Sequence, residues 1–341
     1  MNGLWRALLV FVTSCLAVTA AWAGPRAVSG TYIGNGSATR VITGVGFRPT
    51  VLILQGDSSP AVITTFTFPA GDTKILAGGM TSSNVVTSLN SDGFTVTSST
   101  YANQAGLSYY YLAFDGVPGE MSLASYPGDN MDNRSISGVG FSPALVIVYS
   151  EGTAAPTFRT VRHVGDNSNP FHGGGETNNI IQALEADGFQ VGTDIKVNRN
   201  STYHYVAMRA VPGIFETGIY MGDSTLNRPI DAGFAPEAVW VKTRLGTEPM
   251  IYKSSAVPAG LALPALGLPP RSNAVVALTA TGFVVGSDPS TNAVGEDYFW
   301  MAFSAAPFFA GSTDAGSTDA GSTDAGSTDA GSTDAGSAEL G

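Results

Sequence analysis

Three histidines, His163, His172 and His204, are the only imidazoles in the 341 residues, and all lie in the middle third of the chain. With Asp166 and Glu176 they form the one grouping whose residue types suit a metal ion. Their spacing fits no His-Glu-x-x-His pattern. A carboxylate pair for glycoside hydrolysis would come from Asp129, Glu151, Asp166, Glu176, Asp187 and Asp194, most of which fall in turn-like segments. No Gly-x-Ser-x-Gly segment stands between a strand-like and a helix-like stretch. Gly173-Gly174-Gly175 lacks the lysine and helix of a phosphate cradle. The expectation is a protein that is not an enzyme and carries no cofactor or metal. The alternative is a hydrolytic or metal-binding site in the middle third, in a deep pocket holding His163 or His172 beside a carboxylate.

A second set of polar residues recurs. Asn35, Asp129 and Asp223 each follow an aromatic-x-Gly turn, and Arg40, Arg134 and Arg228 follow a few residues later. Asn84, Asn179 and Asn273 keep one residue type throughout, and Tyr111, Tyr205 and Trp300 lie in three aromatic segments. Amide and guanidinium groups hydrogen-bond hydroxyls, and aromatic faces stack on the apolar faces of sugars. These twelve residues are therefore the candidate ligand-binding set, one shallow site per copy, gaining strength by repetition. The competing reading is architectural: Asn and Asp close turns, and Arg covers a sheet edge.

The recurrence extends to the elements that must position these side chains. Gly-Phe-x-Pro occurs at Gly46–Pro49, Gly140–Pro143 and Gly233–Pro236, and a later Gly-Phe at Phe94, Phe189 and Phe283. Both landmarks keep a period of about 94 residues, so the chain holds three copies of one module. The copies are expected over residues 29–117, 118–211 and 212–309, joined by short Val-Pro-Gly linkers that leave little room between docked modules. Ile214 and Phe215 are expected to fill such an interface. Each copy carries a β-prone run after its proline (Val51–Leu54, Leu145–Tyr149, Ala238–Lys242) and ends in an aromatic strand (Ser108–Phe114, Thr202–Met208, Asp297–Phe303). The stretch between Asn84 and Phe94 and its equivalents is expected to be an irregular turn or a single helical turn. Alternation splits each aromatic strand into two rows. The row with Tyr110, Leu112 and Phe114 is the more apolar and the expected core. The row with Tyr109, Tyr111 and Ala113 is expected to pack on a neighbouring module or face a ligand. The fold class is all-β: three tandem antiparallel β-sandwich modules followed by a disordered tail.

The termini differ in kind from this body. Residues 1–23 read as a signal peptide, with Arg6, an apolar run and an Ala21-Trp22-Ala23 cleavage site. Lipidation at Cys15 is the alternative, since Val12-Thr13-Ser14-Cys15 is similar to a lipobox. Cys15 is the only cysteine, so the processed chain has no disulfide or thiol chemistry. Residues 311–341 repeat Gly-Ser-Thr-Asp-Ala and cannot bury apolar area. Their aspartates are too scattered to cage Ca²⁺. The formal charge of −11 disfavours nucleic acid and anionic membranes as partners. No integral membrane span is expected after processing, and the expected location is secreted or cell-surface.

The order Gly-Phe-x-Pro, β-run, Gly-Phe, aromatic-x-Ala resembles repeats of phage tail and tail-fibre-associated proteins. It is also similar in outline to H-type lectin modules, through Phe47/Pro49/Val51, Gly93/Phe94 and Tyr111/Ala113. The second copy matches at Phe141/Pro143, Gly188/Phe189 and Tyr205/Ala207, and the third at Phe234/Pro236, Gly282/Phe283 and Trp300/Ala302. The likeness spans residues 29–309 and carries over no sugar-binding set, because the matching residues are mostly scaffold. It implies antiparallel sandwiches that group in threes, here as an internal pseudo-trimer or a short rod. The tail is similar to spacers in secreted and surface proteins of Gram-negative soil bacteria. The expected function is multivalent binding of a glycan or another polar surface polymer. The alternative is a structural part of an extracellular or phage-tail-like assembly, with self-association.

Overall fold

The computed structural model describes residues 26–305; the expected signal peptide with Cys15 and the Gly-Ser-Thr-Asp-Ala tail lie outside the described residues. The strand order of the first module recurs twice. In that module Arg26–Ile33, Ser108–Asp115, Val51–Gly56, Val62–Thr65, Asp72–Ile75 and Thr81–Ser83 form one antiparallel sheet in that spatial order. Arg40–Thr43, Gly93–Val96 and Val86–Asn90 form a second, three-stranded sheet. The second module repeats this plan with five and three strands, the third with six and three. Helix is limited to Pro289–Asn292 among the described residues, so none there is long and apolar enough to cross a membrane.

Punctuation follows from local chemistry. Gly46, Gly140 and Gly233 hold φ of 84°, 88° and 81°, a region closed to most side chains, and so turn the chain before the prolines. Asp92 fastens the first of these turns by accepting from Gly44 N at 3.1 Å and Gly46 N at 2.6 Å; Asp187 does the same for Gly138 and Gly140. In the third module Asp231 takes Gly233 N and the carbonyl of Thr281 takes Ala232 N, which is why the aspartate is dispensable at 281. Asn84, Asn179 and Asn273 adopt φ of 58°, 61° and 57°, the left-handed region asparagine tolerates best. The segments after them are strands, Val86–Asn90, Ile181–Glu185 and Val275–Leu278, each with a register shift, and not the turn or helical turn expected. The bulge obscures the two-residue alternation that marks a regular strand.

Both rows of every aromatic strand are buried, in different cores. Tyr109, Tyr111 and Ala113 face their own sandwich, against Phe94, Ile42 and Phe47. The second and third modules repeat this with Tyr203, Tyr205 and Ala207, and with Tyr298, Trp300 and Ala302. Tyr110, Leu112 and Phe114 instead enter one large cluster shared by all three modules, with Ile147, Val206, Met208, Trp240, Met301 and Phe303. The aromatic row is thus the intramodule core, and the apolar row is the intermodule core. Room for the large rings comes from the neighbouring strand: a Cβ on Gly30 would lie 2.3 Å from the Tyr111 ring, and one on Gly218 2.3 Å from Trp300.

The modules close a ring. Gly79 of the first module abuts Ala154 of the second, where an added Cβ would lie 2.4 Å away. Gly173 of the second sits as closely on Thr247 of the third, and Gly267 of the third on Pro60 of the first, each with 2.5 Å to an added Cβ. The same two loops, one donor and one acceptor, meet at all three junctions. A head-to-tail contact that returns to its start makes a cyclic assembly, here a pseudo-threefold one within a single chain. Lys74 Nζ on Gly152 O, Glu176 N on Arg244 O at 2.8 Å and Ala61 N on Ala265 O at 3.0 Å tie the junctions. Phe215 fills the shared core, stacked on Phe303 at 5.0 Å, and Ala27 bridges Ala305 where the two ends of the ring meet.

Candidate functional site

The repeated polar residues converge at one end of each module, where the first strand ends and the aromatic strand begins. In each, a fully buried asparagine that sequence reasoning missed forms the hub: Asn103, Asn198 and Asn292. Its Oδ1 accepts from the backbone N of Asn35, Asp129 or Asp223, at 3.0 Å in all three. Its Nδ2 donates onward to the turn: Asn198 reaches Asp129 Oδ1 at 3.0 Å and Met131 O at 2.7 Å. Arg134 Nη1 donates to Pro127 O at 2.6 Å and to Asn198 Oδ1 at 3.2 Å, while its guanidinium lies 5.3 Å over the Tyr126 ring. Arg40 over Tyr32 and Arg228 over Tyr220 repeat this at 5.0 and 5.3 Å. Asp129 and Asp223 pair with Arg134 and Arg228 at 3.2 and 3.3 Å. Turn N–H groups, from Met131 and from Thr225, hold both carboxyls below the usual carboxylate range. The period that located the arginines also locates the three buried asparagines; they were overlooked because a lone Asn in a loop carries no other signal.

This arrangement divides the twelve candidates. Asn35, Arg40, Asp129, Arg134, Asp223 and Arg228 come together, three clusters of one design. Tyr111, Tyr205 and Trp300 do not join them. They are buried against the Gly-Phe phenylalanines, with Tyr111 5.3 Å from Phe94, Tyr205 5.2 Å from Phe189 and Trp300 6.0 Å from Phe283. No ring face is left for a sugar, which corrects the expectation that this row could face a ligand. Asn84, Asn179 and Asn273 serve the bulged strands; Asn179 bonds Thr193 through Nδ2 at 2.9 Å and takes its N–H at 3.2 Å.

Apolar side chains stand exposed beside the clusters. Ile33, Met131 and Met221 are 65, 63 and 61% exposed, and Ile195, Leu226 and Val294 belong to the same loops. Equivalent points of a cyclic arrangement lie in one plane around its axis. The three module ends therefore lie at equivalent positions around the ring.

The histidines are structural. His163 lies buried, stacked on Phe299 at 4.0 Å, with Nε2 on Asn169 Oδ1 at 2.9 Å. Burial pushes its pKa down to about 3, so it stays neutral. His172 faces the carbonyl of its neighbour Gly173, and burial lowers its pKa too. His204 stacks on Tyr149 and meets Glu151 at 2.9 Å. No group of three or more His, Cys, Asp or Glu among the described residues could hold a metal. The space enclosed between all three modules, lined by Ile53, Phe171, Trp240 and Tyr252, is only about 20 Å³. The larger hollows are open surface grooves.

No family model matches the chain, and no curated protein does either.

Proposed function

We propose that the chain is a non-catalytic attachment protein that binds a repetitive polar polymer, a glycan or another surface polymer, through three equivalent module ends. The observation that carries this reading is the exposed apolar side chain beside an Asx–Arg cluster at each of three coplanar ends. Contiguous exposed apolar residues rimmed by polar groups mark interaction surfaces. Aliphatic side chains pack on the C–H faces of sugars, and the half-exposed carboxylates of Asp129 and Asp223 accept from hydroxyls. Each end is shallow, so useful affinity comes from engaging several at once. Sequence repetition then serves two purposes, closing the ring and multiplying the contact.

The test is the chain from Gly24 to Gly341 on a polysaccharide array, with and without Ca²⁺, followed by Ile33→Ser, Met131→Ser and Met221→Ser singly and together. These exposed positions should change stability by no more than about 0.5 kcal/mol. Each single change is expected to weaken polymer binding several-fold and the triple change by about 10²-fold or more. Silence of folded protein across the array, or a triple variant that binds like the parent, would refute this reading. A second reading, a subunit of an extracellular or tail-like assembly, is favoured by the same apolar rim. It predicts no array binding and a large native particle that the triple variant disperses.

A further inference from the structure

One groove breaks the threefold repetition. It lies in the second module, beside its junction with the first, and encloses about 450 Å³. Ser150, Gly152, Thr153, Ala154, Arg199 and Ser201 line it, together with the exposed Ile195. The other two modules carry different residues at its floor. In the first, Gly56 stands at the position of Ser150, and a Cβ there would meet Ser59 Oγ at 2.7 Å and Leu107 at 3.0 Å. In the third, Thr243 stands there, and its hydroxyl takes Gly246 N at 3.1 Å. In the second module the Ser150 side chain is 1% exposed, and its Oγ has no hydrogen-bond partner. A buried hydroxyl left unpaired costs stability. One that lines an open groove is satisfied when a ligand enters.

The groove is held open from outside. Lys74 Nζ of the first module caps Gly152 O, Thr81 Oγ1 bonds Glu151 O at 3.2 Å, and Gly79 presses on Ala154. These contacts fix the Glu151–Ala154 loop in the ring junction. Gly152 has an ordinary φ, and a Cβ there would lie 3.5 Å from Ser201 Oγ and 3.8 Å from Ser150 Oγ. Both hydroxyls therefore converge on the space that Gly152 leaves empty. Arg199 supplies the charge. Its Nε is fixed on Thr193 O at 2.7 Å, and its exposed terminal nitrogens have no partner among the described residues. Nearby carboxylates are engaged elsewhere, Asp194 with Lys196 and Glu151 with His204.

We infer that this groove is a binding site for a single carboxylated polyol unit, such as a uronic acid residue. Its carboxylate meets the Arg199 fork, its hydroxyls pair with Ser150 and Ser201, and its C–H face rests on Ile195. The volume suits one sugar ring. The groove adjoins the second module's end and shares Ile195 with it, but it uses none of Ile33, Met131 and Met221, so the two readings are tested by different variants.

Calorimetric or NMR titration of the full processed chain with sodium D-glucuronate, D-glucose and acetate tests it. Glucuronate is expected to bind at millimolar or better affinity, at least about tenfold more tightly than glucose or acetate. Gly152→Val fills the groove without backbone strain, and Arg199→Gln removes the charge; each is expected to weaken glucuronate at least about tenfold. Ile33→Ser/Met131→Ser/Met221→Ser is expected to leave glucuronate affinity unchanged. The inference falls if folded wild-type protein ignores glucuronate, if glucose or acetate binds as well, or if both groove variants titrate like the parent.

Discussion

The residues that repeat most faithfully serve the scaffold. Asn103, Asn198 and Asn292 show why: a buried amide joining two loops has no substitute with the same donors and acceptors. Asn198→Ala removes the hydrogen bonds to Asp129, Met131 and Arg134 and leaves their partners buried. It is expected to cost about 2–4 kcal/mol in urea unfolding. His163 adds a pH dependence of defined sign. Its pKa is about 3 in the folded chain, against about 6.5 unfolded. Between those values the unfolded chain binds more protons, so stability is full above about pH 6.5 and falls as the pH drops toward 3. Unfolding free energies from urea titration at pH 7 and 4.5 should therefore differ more for the parent than for His163→Phe, by an amount on the order of 2 kcal/mol. Equal differences would mean that His163 is not buried as described. The sequence exposed the repeating Asx and Arg positions because they keep a period. It could not reveal that they bond inward to a loop asparagine some seventy residues away.

At the scale of the element, the period and the strand-forming runs were legible, and the direction of each face was not. Tyr109 and Tyr111 look like an outward row because they carry hydroxyls, while Leu112 and Phe114 look like core. Tyr109, Tyr203 and Tyr298 each donate their hydroxyl to a backbone carbonyl, as Tyr109 Oη does to Thr100 O at 2.8 Å, and the ring can then be buried with its polar end satisfied. The apolar row is core as well, but of the ring and not of the module. The decisive clue sits on the opposite strand, where Gly30 and Gly218 leave space for a ring. Gly218→Ala should destabilise by about 2–3 kcal/mol through its clash with Trp300. Trp300→Leu in the same chain should recover part of that loss, readable as a Tm higher than the single variant's. The bulged strands after Asn84, Asn179 and Asn273 escaped detection because a bulge erases the alternation that sequence patterning relies on.

For the whole molecule, ring closure is the property on which the rest depends. It buries the apolar row of every large sheet, props open the groove beside Gly152 and sets three module ends at equivalent positions around one axis. Residues 26–117 alone would expose Tyr110, Leu112 and Phe114 and should fail to fold cooperatively, whereas the full ring should unfold in a single calorimetric transition. The approximate repeat was enough to predict an all-β fold of antiparallel sheets; ring and rod share the same sequence pattern, because closure rests on backbone approaches at Gly79, Gly173 and Gly267 that no side chain advertises. The most direct measurement is the distance between modules one and three. Spin labels at Ser58 and Leu268, introduced as cysteines in the chain from Gly24, flank the Pro60–Gly267 contact. The ring predicts a short, narrow distance distribution, since those loops touch. A rod puts a whole module between them, a separation of more than about 30 Å, and that result would contradict the account.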